Sequence, residues 1–138
     1  MPTRSNIQTI PVVNKDNAIT RIEEFVSSDP TVCFAMVFGS YVNTRHRKAK
    51  DIDIAMYFYT APEGLDLLNL INGLSNLTGR EVDLVVLNSA SAFLRHQVMK
   101  TGIPLIIKDK VIFQHFREKT ISDYDEYKFV SGMNMYDR

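Results

Sequence analysis

A single cysteine, Cys33, is present among the 138 residues, so no internal disulfide can form. Cys33 lies within an apolar run and reads as a small buried hydrophobe, which suits a reducing cytoplasm. Charge of one sign is not in excess: 16 Lys and Arg balance 16 Asp and Glu. Zero net charge excludes a general electrostatic pull toward nucleic acid or an anionic membrane. No apolar run is long enough to cross a bilayer. Met1 to Gln8 is polar and no apolar segment follows it, so no secretory signal is expected. Neither a Walker phosphate loop nor a Gly-x-Gly-x-x-Gly fingerprint occurs. His46, His96 and His115 are scattered without metal-ligand spacing. Ser40 has no histidine base in triad-like context, which argues against acyl-transfer chemistry. There is no internal repeat and no low-complexity tract.

What is present is a chain with 45% apolar residues, enough for one domain with a real core. Residues 15–28 read as a helix with Ile19, Ile22, Phe25 and Val26 on one face. Ser-Ser-Asp-Pro at 27–30 ends it. Apolar, β-prone strands are expected at 31–38, 52–59 and 81–87, with a short one at 103–107. Between them, Thr60 and Glu63 resemble a capping box for a helix over about 63–77. That helix is expected to turn Leu65, Leu68, Ile71 and Leu74 inward and to stop at Gly79. Asn88 or Ser89 is expected to cap a helix ending at Gly102, and Asp109-Lys110 leads into a last helix at 110–130. Its apolar content is Val111, Phe113, Phe116, Ile121, Tyr124 and Phe129. Residues 1–13 and 131–138 are expected to be flexible ends of a single domain spanning 1–138. Strands alternating with helices imply an α/β sandwich around a mixed sheet.

The chemistry concentrates at 39–53. A β-prone stretch runs into Gly39-Ser40, ten residues follow, and Asp51-Ile52-Asp53 opens the next strand. Alternate strand residues share a face, so Asp51 and Asp53 point together while Ile52 and Ile54 take the other side. Two neighbouring acids repel unless a cation lies between them. Mg²⁺ on a nucleotide's phosphates suits that need. Glycine at the strand end allows a tight turn and close approach to a phosphate, with Ser40 and adjacent N–H groups as donors. Asp83 interrupts the third strand in the same way. If that strand neighbours the second, three carboxylates can bind a divalent metal, and one can take a proton from an attacking hydroxyl. An ordinary Gly-Ser turn, solvated edge charges at Asp51 and Asp53, and a solvent-facing strand start at Asp83 are the competing readings. Arg45, His46, Arg47, Lys48 and Lys50 crowd the intervening loop, either as a solvated surface or as a lure for a triphosphate or an acidic partner.

At these residues the chain resembles the minimal nucleotidyltransferases of the DNA polymerase β superfamily. Gly39, Ser40, Asp51, Asp53 and Asp83 match that signature in order and spacing, and the likeness extends from about residue 15 to 108. Size and the lack of a second domain are most similar to the antitoxins of HEPN–MNT toxin–antitoxin pairs. The resemblance implies a nucleotidyltransferase fold, α+β with a mixed sheet flanked by helices. It implies ATP as donor, Mg²⁺ as metal, and a HEPN ribonuclease toxin whose tyrosine hydroxyl accepts AMP. Gly39 and Ser40 would hold the triphosphate, Asp51 and Asp53 would bind Mg²⁺, and Asp83 would complete the metal site or act as base.

Two departures from the family pattern stand out. Val42-Asn43-Thr44 replaces the common Ala-Arg-Gly, and Lys50 replaces the serine often found before the first aspartate. Lys50 can contact phosphate or partly neutralise the acids. The Arg and His of the partner ribonuclease family, four to six residues apart, do not occur, so the chain is not itself that toxin. A toxin-covering antitoxin without catalysis, using Phe113, Phe116, Tyr124, Tyr127, Phe129 and Tyr136, is one alternative. Transfer to a small molecule such as an aminoglycoside is another. A cytoplasmic protein with no membrane and no direct nucleic-acid partner is expected.

Overall fold

The computed structural model describes residues 17–43 and 51–136. Its elements run α1 (Asn17–Ser28), β1 (Val32–Phe38), α2 (Ser40–Asn43), β2 (Asp51–Phe58), α3 (Leu65–Thr78), β3 (Glu81–Val86), a 3-10 turn (Leu87–Ser89), α4 (Ala92–Thr101), β4 (Ile103–Ile107) and α5 (Lys110–Tyr136). The sheet has the order β3-β2-β1-β4. β1 pairs antiparallel with both β2 and β4, and β2 pairs parallel with β3. The fold is therefore the mixed-sheet α+β architecture expected, with apolar clusters on both faces of the sheet.

Alternation along β2 sorts those faces. Ile52, Ile54, Met56 and Phe58 enter one cluster with Ile19, Ile22 and Val26 of α1 and Leu74 of α3. Ala55 and Tyr57 turn the other way, toward Val98 of α4 and Phe113 and Phe116 of α5. Asp51 and Asp53 have the parity of this second face. β1 feeds both clusters by alternation, and at the register shift between Val32 and Phe34 the consecutive Cys33 and Phe34 enter the same one. Phe34 anchors the second: its ring is 4.8 Å from Phe113 edge-on, 5.5 Å from Phe116, and stacked 5.3 Å from Tyr57. Cys33 is buried, as its apolar context implies. Among the described residues β4 lies at the sheet edge, a position that tolerates Pro104.

Several local expectations are corrected. α3 starts behind Gly64 (φ 58°) with no side-chain cap, so Thr60 and Glu63 form no capping box. Its inward stripe passes through Leu70 and Leu74, while Leu65 and Leu68 are 70% and 52% exposed. Leucines at 65, 67, 68, 70, 74 and 77 offer this helix more than one apolar stripe, and the sheet covers only one. α4 is capped by Ser91, whose hydroxyl accepts the Leu94 N–H. Asn88 is engaged elsewhere: its amide oxygen accepts the Phe58 N–H at 2.9 Å and its amide nitrogen donates to the Phe58 carbonyl at 2.8 Å. It thereby satisfies β2 where β3 has turned away.

Asp109 caps α5 by accepting the Val111 and Ile112 N–H groups. The helix runs 27 residues to Tyr136 rather than stopping near 130. Phe113 and Phe116 pack inward, but Val111, Ile121 and Phe129 are exposed. The distal half of α5 leans on α4, where Arg95 pairs with Asp123 at 3.0 Å and His96 stacks on Tyr124 at 3.6 Å. Among the described residues no helix is long and apolar enough to cross a membrane. Residues 1–13 lie outside the described residues.

Candidate active site

The site starts where β1 ends. Phe38 is the register partner of Asp53, so the next residue, Gly39, arrives beside the Asp53 side chain. Gly39 has φ 77°, a conformation L residues rarely adopt. A Cβ here would collide with Asp53 Oδ2 and lie 2.9 Å from its Cγ. Glycine is thus required twice, by the turn and by the carboxylate against it. The chain then enters the single helical turn α2 at Ser40, and the Val42 N–H donates to the Gly39 carbonyl at 3.1 Å. Tyr41 follows into the core with 1% of its surface exposed. The structure describes Ser40 by its backbone. Lys50 and the rest of the basic stretch 45–50 lie outside the described residues.

The parallel β2–β3 pair supplies the acids. Asp51 faces Glu81 and Asp53 faces Asp83 in register, with Ile52 and Val82 buried between them on the other face. Asp51 and Asp83 are exposed, and Asp53 is half-buried. Burial raises the Asp53 carboxyl above its ordinary value of 3.8, and the Asp83 charge, a hydrogen bond with Asp83 and the Asp51 charge push it the same way. After burial, Asp83 is thus the neighbour that acts most on Asp53, and Asp51 adds to it through charge.

The structure brings Gly39, Asp53 and Asp83 together, with Asp51 one step along the strand. Glu81 is a fourth acid at this strand end, and its i, i+2 spacing from Asp83 is the signal in the sequence that points to it. Tyr41 and Arg80 carry no such signal and meet only in the fold, the Arg80 guanidinium carbon lying 5.6 Å from the centre of the Tyr41 ring.

Among the described residues no three His, Cys, Asp or Glu side chains are gathered into a ready metal cage. The donor chemistry nevertheless fits a hard divalent cation: carboxylate oxygens only, in a like-charged contact that a cation would relieve. Asp53 and Asp83 would form the seat, with Asp51 adjoining.

Residues 20–111 match the model of the family described as polymerase beta, nucleotidyltransferase. The chain belongs to this family. A Methanocaldococcus jannaschii protein named a putative protein adenylyltransferase is 31% identical over 72 residues, 52% of this chain and 77% of that protein. A second so named from the same organism is 42% identical over 50 residues, 36% of this chain and 51% of that protein. Among solved structures, a toxin–antitoxin crystallised with AMP-PNP has a chain superposing with TM-score 0.74 at 30% identity, covering 86% of this chain and 96% of that one. A chain from the structure of a tri-AMPylated Shewanella oneidensis HEPN toxin in complex with MNT antitoxin superposes with TM-score 0.72 at 27% identity, covering 87% of this chain and 94% of that one. The family member described here thus shares its fold with MNT antitoxins over nearly their whole length.

Proposed function

We propose that this nucleotidyltransferase is the antitoxin of a toxin–antitoxin pair. It transfers AMP from ATP to a tyrosine hydroxyl of a HEPN ribonuclease toxin in the cytoplasm and so silences it. The observation that carries the reading is the Asp53–Asp83 pair abutting Gly39 at the mouth of a helical turn. Acidic side chains and a phosphate-gripping turn at one point are what phosphoryl-group chemistry requires. The likeness to toxin–antitoxin chains, one with AMP-PNP and one with an AMPylated toxin, supports the choice of donor and acceptor.

In this reading the acceptor oxygen attacks the α-phosphorus in line. The new O–P bond forms as the bond to the β-phosphate's bridging oxygen breaks, and pyrophosphate leaves. Gly39, Ser40 and Lys50 hold the polyphosphate. Asp51, Asp53 and Asp83 would hold Mg²⁺, which would offset the charge that develops on the phosphate oxygens. Asp83 is assigned either to completing that seat or to accepting the acceptor's proton.

The test is incubation of the chain with a HEPN ribonuclease encoded beside it, ATP and Mg²⁺, followed by mass spectrometry of that ribonuclease. Addition of AMP to a tyrosine, lost in Asp53→Asn, is expected. Protection of cells by Asp53→Asn without any mass gain on the toxin would replace the enzymatic reading with a covering one. The distal half of α5, with Ile121 and Phe129 exposed, would then be the first surface to examine.

A further inference from the structure

We propose that Arg80 is a positioning residue that sets the polyphosphate-holding turn against the strand carrying Asp83. The inference rests on the nucleotidyltransferase reading above and names a residue that reading does not use. Arg80 leaves α3 through Gly79, which closes the helix in the left-handed conformation (φ 72°). Its backbone is clamped at once: its N–H donates to Thr78 Oγ1 at 3.2 Å, and that hydroxyl lies 3.3 Å from the Arg80 carbonyl oxygen. The next residue, Glu81, is the register partner of Asp51, and Asp83 follows two places on.

From this fixed base the side chain of half-buried Arg80 reaches the Tyr41 ring, its guanidinium carbon 5.6 Å from the ring centre, within cation–π range. Tyr41 follows Ser40 directly and is almost fully buried, so the ring cannot shift without moving the turn. One side chain therefore links the turn after β1 to the start of β3, which are far apart in sequence. A planar guanidinium suits this because it lies on an aromatic face while keeping its charge, which a lysine ammonium does less well. The cation also lies next to the segment that would receive a polyphosphate, where added positive potential favours the ligand.

The consequence is specific. Loosening the turn weakens recognition of the phosphate chain but not of the nucleoside. Arg80→Ala is expected to weaken ATP binding, measured by calorimetry with Mg²⁺, by roughly threefold to thirtyfold, the span of a half-buried cation–π contact. AMP affinity should stay within about twofold, and KM for ATP should rise more than kcat falls. Arg80→Lys should recover only part of the ATP loss, and it carries the same ATP-against-AMP comparison should the alanine variant not fold. Equal ATP affinity in wild type and Arg80→Ala, equal weakening of ATP and AMP, or full rescue by lysine would each overturn the proposal. Failure of the wild-type chain to bind ATP would instead remove the nucleotidyltransferase reading beneath it.

Discussion

Asp53 and Asp83 face each other as register partners on parallel strands, and the burial of Asp53 sharpens the repulsion between them. A carboxyl whose folded value is raised stabilises the fold only while protonated. That contribution is whole below the ordinary aspartate value of 3.8 and is lost as pH rises through the raised folded value. Asp53→Asn carries no charge at any pH. It should therefore melt higher than wild type near neutral pH, with the gap closing well below 3.8. The same variant should transfer AMP slower by on the order of a hundredfold or more. Thermal scans across pH, alongside a transfer assay, check both halves; a neutral-pH melting point unchanged or lowered would refute the repulsion argument.

Gly39→Ala should be harsher than an ordinary surface change. Holding an L residue in the left-handed region costs about 1–2 kcal/mol, and the new methyl must also displace the Asp53 carboxylate. Urea unfolding should show at least that loss, and nucleotide titration should show that the remaining folded protein binds ATP poorly. Unimpaired ATP binding in Gly39→Ala would separate the turn from the ligand.

Helix α3 provides a contrast between two leucines. Leu74→Ala removes a buried side chain and should cost about 2–5 kcal/mol in urea unfolding. Leu65→Ala, on the exposed face, should stay within about 0.5 kcal/mol. A reversed order would mean that the inward stripe has been misassigned.

The strand pattern was legible because period two leaves little freedom. Asp51-Ile52-Asp53-Ile54 can be divided between two faces in one way, and β2 divides it so. Helix α3 was not legible in that sense. Its leucines satisfy more than one stripe, and only the placement of the sheet selects Leu70 and Leu74. Caps failed where a polar side chain had a distant use: Asn88 serves the Phe58 backbone, which no local pattern reveals. The acids themselves were visible, but the pairing of Asp53 with Asp83 depends on β3 lying parallel to β2, a property of topology. The collision awaiting a Cβ at position 39 is likewise a tertiary fact.

Among the described residues β3 borders the sheet, hydrogen-bonded to β2 along one flank. Border strands are the first to open when a domain breathes, whereas β1, paired on both sides, opens with the whole molecule. Since Asp83 rides on that outer strand, a partial peeling that leaves the interior intact is enough to dismantle half of the carboxylate pair. Inactivation under mild stress can thus run ahead of denaturation, and whatever rests against the outer flank of β3 governs how long the chemistry survives.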